Sequence, residues 1–312
     1  MKKYRAILVG NGTMGKRHRS RFEAVGVEFS SVVESESELL NAFQGVGASS
    51  DGAFCGADFN ATETAVDFAV IASPATTHYE YAKFFLTRKI PVFVEKPLAT
   101  TAVEARELAD LAESQGVTLF VAQSECFNPI FLNFRTHFAR ELTAATAQQN
   151  LNVDLEFRRE HKFSERCRDV NVALDLLIHD VGLFLTLFRY ENVRVASGEI
   201  SKDGDQASLV LNATEGNAKV QGRFYVNRSS DADARELSAK IAGAPGATAV
   251  PVFEYSVSLA KYNQNGEVEH IPDSLDNEHK FFLKLLAGVC GEWGRRLSKT
   301  AADAVALVSK CL

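Results

Sequence analysis

Three glycines within six residues follow the first apolar stretch of the chain. Gly10, Gly12 and Gly15 form the pattern G-x-G-x-x-G between a β-rich run and a helical run. In such a turn the first glycine permits a tight bend, the second lets the backbone approach a pyrophosphate, and the third allows the helix to pack closely on the strand. We therefore predict a dinucleotide-binding turn, in which the N–H groups at the helix start, including those of Thr13 and Met14, face phosphates. The alternative is a tight strand-to-helix turn without a ligand.

The pattern of the first third of the chain predicts βαβ units. Short β-rich runs alternate with helical stretches, and one helix has a capping box of Thr101 and Glu104 at its start and Gly116 at its end. This alternation is typical of an α/β fold with a doubly wound parallel sheet of the Rossmann type. Further along, alternating apolar runs separated by turn signals predict an α+β domain built on a largely antiparallel sheet. We place the two domains at residues 1–125 and 126–312.

Composition excludes several classes of protein. The 312 residues hold 34 Lys and Arg against 40 Asp and Glu, a net charge of −6, so no basic field exists for nucleic acid or an anionic membrane surface. A hydrophobic content of 46% with 22 Phe supplies ample core material. The five cysteines are scattered without a C-x-x-C pair, and no apolar run is long enough to cross a bilayer. We expect a cytoplasmic protein with no metal, nucleic-acid partner or membrane partner.

A glutamate closes the second predicted strand. Glu34 follows Gly10 by 24 positions, where a carboxylate can accept hydrogen bonds from the ribose hydroxyls of the adenosine. Because such a carboxylate repels a 2′-phosphate, the position favours NAD as the cofactor and leaves NADP as the alternative. The competing interpretation is an ordinary solvated glutamate in an acidic stretch.

Two further segments follow predicted strands at the edge where open α/β sheets bind their ligands. The first is S-P-A-T-T-H and the second is E-K-P-L. A lysine at this edge could exchange a proton with a substrate hydroxyl, although by composition alone it would be a solvated loop lysine. The candidate cofactor-binding residues at this edge are Ser73, Pro74, Thr76, His78, Glu95 and Lys96.

Taken together, these motifs resemble those of one enzyme family. The glycine turn, the segment A-S-P-A-T-T-H, the segment E-K-P-L and a later D-x-x-x-H pair are similar to the Gfo/Idh/MocA family, the group of glucose-fructose oxidoreductase and inositol dehydrogenase. These landmarks run from Gly10 to His179, and the remainder of the chain has a compatible length. The resemblance implies that Lys96 lies beside the nicotinamide and the substrate, and that Asp175 and His179 face them from the second domain.

The spacing of Asp175 and His179 supports a shared site independently of the resemblance. Residues four apart lie on one face of a helix, and a helix is predicted over residues 174–188. A nearby carboxylate can fix the tautomer of a histidine and stabilise its imidazolium, which suits a general base that takes the proton from an alcohol. The candidate catalytic residues are Lys96, His179 and Asp175, with either Lys96 or His179 as the base. The alternative is a capped or core histidine on an apolar helix.

Two segments show a narrower resemblance. The stretches E-C-F-N-P and R-D-V-N-V-A-L-D are similar to those of the family branch that contains UDP-N-acetylglucosamine 3-dehydrogenases. The resemblance implies a substrate site in which an arginine holds a phosphate bidentately. Its candidate residues are Asn128, Arg168, Asp175 and His179. The chain departs from the branch at Cys126, which replaces an arginine, at Asn171, which replaces a glycine, and at Gly182, where many relatives have an acid.

A further basic cluster lies shortly before the stretch that contains Arg168. Arg158, Arg159 and Lys162 fall on and just after a run of alternating apolar and polar residues. We interpret them as a solvated face of a strand rather than as a phosphate site.

These observations predict an NAD(P)-dependent oxidoreductase that transfers a hydride between a nicotinamide and a secondary alcohol or ketone of a sugar, nucleotide sugar or cyclitol. We expect a homodimer or homotetramer whose partner is a small sugar-like molecule. Two alternatives from other classes stay open. One is a non-catalytic regulator that senses a sugar or cofactor on the same fold, and the other is a reductase of imines or bilins.

Overall fold

The computed structural model describes residues 3–35, 37–38, 66–146, 150–162, 169–187, 190–243, 253–259 and 273–311. They form two compact units. The first unit lies within residues 1–122 and 278–303, and the second within residues 123–277 and 304–312. The predicted division after residue 125 leaves all C-terminal helices in the second domain, whereas the structure groups residues 278–303 with the first unit. The reason is that this segment supplies apolar side chains to the core of that unit.

The first unit is a Rossmann-type domain, as predicted. Its five strands form a parallel sheet in the order β2-β1-β3-β4-β5. The strands are β1 (Tyr4–Val9), β2 (Val27–Val33), β3 (Phe68–Ile71), β4 (Val92–Glu95) and β5 (Leu119–Ala122). The helices are α1 (Thr13–Ala24), α2 (His78–Thr87) and α3 (Ala102–Gln115).

Local signals in the sequence explain these elements. Strands β3, β4 and β5 are buried at every residue, as expected for a parallel sheet that helices cover on both faces. Helix α3 has the predicted capping box, since the side chain of Thr101 accepts the N–H of Glu104 and the Glu104 carboxylate accepts the N–H of Thr101. The helix ends at Gly116, which adopts the left-handed conformation at φ 64°.

A cluster of phenylalanine rings forms the core of the first unit. Phe282 is fully buried, and its ring centroid lies 5.0 to 6.0 Å from those of four other rings. Those rings belong to Phe22, Phe68, Phe93 and Phe120, which come from α1 and from strands β3, β4 and β5. Such distances are typical of favourable aromatic pairs. The segment after residue 278 therefore completes the core of a domain formed mainly by the first 122 residues.

The second unit is built on a six-stranded sheet in the order β11-β10-β6-β9-β8-β7. Its strands pair antiparallel except for β6 and β9, which are parallel. This α+β architecture with a largely antiparallel sheet confirms the predicted fold class. The strands are β6 (Leu151–Glu160), β7 (Glu191–Ile200), β8 (Gln206–Glu215), β9 (Ala218–Asn227), β10 (Ala234–Gly243) and β11 (Phe253–Ser258).

Helices complete the description of the chain. Helix α4 (Pro129–Thr146) and helix α5 (Ile178–Leu187) belong to the second unit, and a π-helical turn (Ala173–Leu177) leads directly into α5. Near the C-terminus lie α6 (Ser274–Leu286) and α7 (Gly291–Val308). Among the described residues, no helix is both long and apolar enough to cross a membrane.

The position of Phe282 at the centre of the ring cluster generates a prediction. Phe282→Ala should lower the free energy of unfolding of the first unit by about 3–5 kcal/mol, the usual cost of removing a buried phenylalanine ring. The measurement is urea unfolding followed by fluorescence of Trp293, the single tryptophan, which lies in this unit. The control is Phe281→Ala, since that neighbouring ring is partly exposed. Equal losses for the two variants would contradict the central role of Phe282.

Candidate functional site

The glycine turn between β1 and α1 has the geometry that its sequence predicts. Gly10 has φ +86°, and a Cβ at this position would lie 2.6 Å from the backbone of Ser73. A Cβ at Gly15 would lie 2.0 Å from the carbonyl oxygen of Gly10. No atom would lie within 4 Å of a Cβ at Gly12. Gly10 and Gly15 are therefore required by close backbone contacts, whereas Gly12 borders open space.

The N-terminus of α1 is available to an anion. The helix begins at Thr13 without a side-chain cap and without an acidic residue in its first turn. Gly12 and Thr13 are exposed and Met14 is partly exposed. Uncapped N–H groups at a helix start favour negative charge. These residues fit the pyrophosphate of a dinucleotide.

Glu34 directly follows β2 and is exposed. Its backbone N–H donates to Oε2 of Glu38 at 2.7 Å. Two carboxylates therefore lie close to the carboxyl end of β2. A position of this kind suits ribose hydroxyls and repels an additional phosphate.

The two loops that carry the other cofactor candidates are joined by one histidine. His78 is buried, with Nδ1 2.7 Å from the carbonyl oxygen of Pro97 and Nε2 3.0 Å from that of Ser73. His78 is a predicted cofactor-binding residue, but in the structure both of its ring nitrogens face protein carbonyl oxygens. Pro74 and Thr76 are exposed on the first of these loops. His78 therefore acts on the loops that would hold a cofactor.

Glu95 and Lys96 follow β4 and differ in environment. Lys96 is partly exposed, whereas Glu95 is buried with its Oε1 2.6 Å from Nε2 of His18. Burial alone would raise the pKa of Glu95, but the hydrogen bond and charge of His18 and the charge of Lys96 outweigh it, so this pKa lies below its ordinary value. The carboxylate assigned to the cofactor from the sequence is thus ionised and directed into the protein. Lys96 is the member of the motif that solvent reaches.

A second buried acid in the same unit behaves differently. Glu278 is fully buried, and neither of its carboxyl oxygens has a hydrogen-bond partner among the residues that the structure describes. Burial, together with the nearby charge of Glu95, raises its pKa well above the ordinary value. The folded protein therefore favours the protonated, neutral form of this acid.

Asp175 and His179 lie on one continuous helical segment of the second unit. The segment begins with Asn171, whose Oδ1 accepts the N–H groups of Ala173 and Leu174 at 3.0 and 3.1 Å. Asn171, one of the departures from the related branch, is thus a helix cap. Asp175 is buried within the π-helical turn, and His179 is the second residue of α5 and partly exposed. The predicted single α-helix instead starts as a π-turn, a feature often found at functional sites.

Arg228 is a charged neighbour of Asp175 that was not predicted from the sequence. Its guanidinium lies 3.8 Å from Oδ2 of Asp175, and its Nε donates to Asp205 at 2.8 Å. Arg228 follows β9, and no local motif distinguishes it from other basic residues. The cation lowers the electrostatic cost of burying the Asp175 carboxylate.

The predicted substrate residues outside the helical segment have other roles or lie outside the described residues. Asn128 is buried, and its Oδ1 accepts the N–H of Ile130 at the start of α4 while its Nδ2 donates to the carbonyl oxygen of Leu259 at 3.1 Å. Its side chain is therefore occupied by protein groups. Arg168 lies outside the described residues.

The basic cluster on β6 is only partly solvated. Arg158 and Lys162 are exposed as predicted, but Arg159 is buried and the prediction for it is wrong. Its guanidinium donates to Asp180 at 2.7 Å and to Glu125 at 3.1 Å. Burial alone would lower the pKa of Arg159, but these two carboxylates outweigh it and raise the pKa. The alternation of β6 directs residue 159 inward, and two inward acids compensate its charge.

Comparison with known proteins supports the sequence interpretation. Residues 4–123 match the family GFO_IDH_MocA, described as an oxidoreductase family with an NAD-binding Rossmann fold. The chain is 28% identical to the rhizopine catabolism protein MocA of Rhizobium meliloti over 232 residues, which cover 70% of each protein. It is 24% identical to UDP-N-acetylglucosamine 3-dehydrogenase of Acidithiobacillus ferrooxidans over 202 residues, 65% of this chain and 60% of that enzyme.

A solved structure has the same fold across both units. UDP-N-acetylglucosamine 3-dehydrogenase GnnA from Acidithiobacillus ferrooxidans superimposes with a TM-score of 0.64 at 21% identity. The superposition covers 100% of this chain and 99% of GnnA. At this identity the likeness establishes the fold.

The raised pKa of Glu278 generates a prediction about pH. The folded protein keeps a proton that the unfolded chain loses above about pH 4.3, so the free energy of unfolding should fall by about 1.4 kcal/mol per pH unit between that value and the pKa in the folded protein. Glu278→Gln has no carboxyl proton to lose at this position, so this pH-dependent loss of stability is absent. The free energy of unfolding of the variant should therefore increase relative to that of the wild type as the pH rises. The measurement is urea unfolding at a series of pH values above about 4.3, again followed by the fluorescence of Trp293.

The control for this experiment is Glu113→Gln, which changes an exposed carboxylate of the same unit. Its stability should follow that of the wild type at every pH. Parallel curves for Glu278→Gln and the wild type would show that Glu278 is ionised in the folded state.

Proposed function

We propose that this chain transfers a hydride between a nicotinamide cofactor and a secondary alcohol or ketone of a sugar, nucleotide sugar or cyclitol. The match of residues 4–123 to the family GFO_IDH_MocA supports the proposal. One observation carries it. The uncapped start of α1 behind Gly12 and the partly exposed Lys96 lie at the same carboxyl edge of one parallel sheet. A turn suited to an anion and an amine able to exchange protons thus belong to one compact unit.

The residues of the first unit provide a coherent cofactor site. The turn from Gly10 to Gly15, with the N–H groups of Thr13 and Met14, would hold the pyrophosphate, and Glu34 would accept hydrogen bonds from the adenosine ribose. The loops of Ser73, Pro74 and Thr76 and of Lys96 would border the nicotinamide half. NAD, when bound, supplies the hydride acceptor, and the protein supplies orientation and proton transfer.

Lys96 and His179 are the proposed proton-handling residues. Oxidation of a secondary alcohol releases a proton from the hydroxyl as the hydride leaves the carbon, so a base must accept that proton. An imidazole is suited to this role near neutral pH, and a lysine amine can do the same or donate in the reverse direction. Asp175 would balance the charge of an imidazolium at His179. We expect the variants Lys96→Ala and His179→Ala, compared by kcat and by pH–rate profile, to show which side chain takes the proton.

The substrate class follows from the related enzymes and from the second unit. One relative is named UDP-N-acetylglucosamine 3-dehydrogenase and another is named inositol 2-dehydrogenase, so both nucleotide sugars and cyclitols are represented. Because Asn128 is occupied by protein contacts, substrate selection falls to Asp175, His179 and the segment that contains Arg168. We further propose that the protein is a homodimer or homotetramer.

The experiment that tests this function combines cofactor binding with turnover. Fluorescence titration with NADH and NADPH is followed by absorbance assays of NAD reduction with UDP-N-acetylglucosamine, UDP-glucose and myo-inositol. For the sugar that is oxidised, Lys96→Ala and His179→Ala should each lower kcat by about 10²–10⁴-fold, the usual contribution of general acid–base catalysis. Both variants should bind NADH within about twofold of the wild type, because neither removes a phosphate contact.

Lys299→Ala, which removes an exposed lysine of the first unit, is the matched control and should keep full turnover. A wild-type protein that binds neither dinucleotide would refute the proposed function. Wild-type turnover by Lys96→Ala would remove Lys96 from the mechanism. An unchanged pH–rate profile for His179→Ala would do the same for His179.

Cofactor preference gives a separate prediction. Glu34→Ala should weaken NADH binding about tenfold, as expected for the loss of a charge-assisted hydrogen bond, and should weaken NADPH binding less. The measurement is the ratio of the two dissociation constants by fluorescence titration. Glu28→Ala, an exposed glutamate on the same strand, is the control. An equal change for both cofactors would show that Glu34 is only a solvated surface residue.

A further inference from the structure

A chain of buried polar side chains connects the first helix of the first unit to Lys96. His18 lies on α1, three residues after Gly15, and is fully buried. Its Nδ1 is 2.9 Å from Nε2 of His279, and its Nε2 is 2.6 Å from Oε1 of Glu95. The other oxygen of Glu95, Oε2, accepts the backbone N–H of Lys96 at 3.1 Å. We call His279, His18, Glu95 and the Lys96 backbone the His18 chain.

The charges in the His18 chain determine the direction of its hydrogen bonds. An ionised carboxylate only accepts hydrogen bonds, so Nε2 of His18 carries the hydrogen that lies between it and Glu95. The two oxygens of this carboxylate therefore receive one side-chain donor, from His18, and one backbone donor, from Lys96.

Packing alone does not account for a histidine at position 18. Its ring lies edge-on at 5.0 Å from the ring of Phe93, within the phenylalanine cluster. A phenylalanine would fill this apolar place without burying a polar ring. What a histidine adds is a donor for Glu95. Glu278, for which the described residues offer no donor, has instead a raised pKa.

We propose that His18 is a positioning residue for Lys96. By donating to the Glu95 carboxylate, His18 holds in place the group that fixes the backbone of Lys96 at the end of β4. It does so from the helix whose N-terminus forms the anion-binding turn, so one helix serves both the phosphate site and the lysine. The role of Lys96 in catalysis rests on the proposed function, whereas the link from His18 to the Lys96 backbone does not.

The first arm of the test needs no substrate. Backbone amide hydrogen exchange by NMR is compared for Lys96 and Val94 in the wild type, His18→Phe and His18→Gln. His18→Phe keeps the ring but loses the donor, so exchange at Lys96 should accelerate about tenfold, the expected effect of weakening one charge-assisted hydrogen bond. Exchange at Val94, within β4, should change less than about twofold because the ladder of the sheet is intact. His18→Gln, which restores a donor, should return Lys96 toward the wild-type rate.

Two further variants keep this arm decisive if His18→Phe does not fold. Glu95→Gln keeps the shape of the side chain and removes the charge, so it should accelerate exchange at Lys96 as well. His279→Phe removes only the outer link of the His18 chain and should have a smaller effect than His18→Phe. Unchanged exchange at Lys96, or acceleration of Val94 and Lys96 together, would overturn the proposal.

The second arm separates positioning from folding. With a sugar that the wild type oxidises, His18→Phe should lower kcat about tenfold, in line with the hydrogen bond lost, while the dissociation constant of NADH stays within about twofold. His18→Gln should recover part of kcat. A wild-type kcat in His18→Phe would overturn the positioning role. If the wild type oxidises no sugar at all, the proposed function fails, and the exchange at Lys96 still decides whether the His18 chain exists.

Discussion

The lack of a side chain at Gly10 allows the contacts on which the rest of the first unit depends. Because a Cβ there would lie 2.6 Å from the backbone of Ser73, the glycine turn and the loop after β3 must touch directly. The carbonyl of Ser73 faces His78, and the other nitrogen of that ring faces the carbonyl of Pro97. From there Glu95 leads back through His18 to α1. The segments that carry the proposed cofactor-binding residues are thus linked by a series of contacts that starts at the glycine turn and returns to the helix that follows it.

Local signals explain why much of this fold could be predicted. The glycine turn, the capping box of Thr101 and Glu104, and the alternation of strands and helices each depend on residues a few positions apart, so the sequence displays them directly. These signals predicted the parallel sheet and the largely antiparallel second sheet, and they showed the resemblance to the Gfo/Idh/MocA family. The match over residues 4–123 confirms that resemblance. The contribution of Phe282 to the first unit was not visible, because its ring partners lie between 162 and 260 residues away along the chain.

The direction of polar side chains was harder to predict than their presence. Glu95, His78 and Asn128 lie on the elements expected of them, yet their side chains bind His18, backbone carbonyls and the start of a helix. Arg159 occupies an inward-facing position in the alternation of β6. Only its charge suggested that its side chain faces solvent. In each case the deciding partner is distant in sequence, and a buried charge becomes tolerable only when such a partner compensates it.

The π-helical turn at Ala173–Leu177 sets the relative directions of the side chains before and after it. A π-turn holds one residue more than the corresponding stretch of α-helix. Deleting one residue there would restore regular α-helical pairing and rotate the side chains on one side of the deletion by about 100° relative to those on the other. The directions of Asp175 and His179 therefore depend on this turn as well as on the four-residue interval between them. Evolutionary gain or loss of a single codon at this point is a route by which a chain of this architecture could acquire a different set of inward-facing groups.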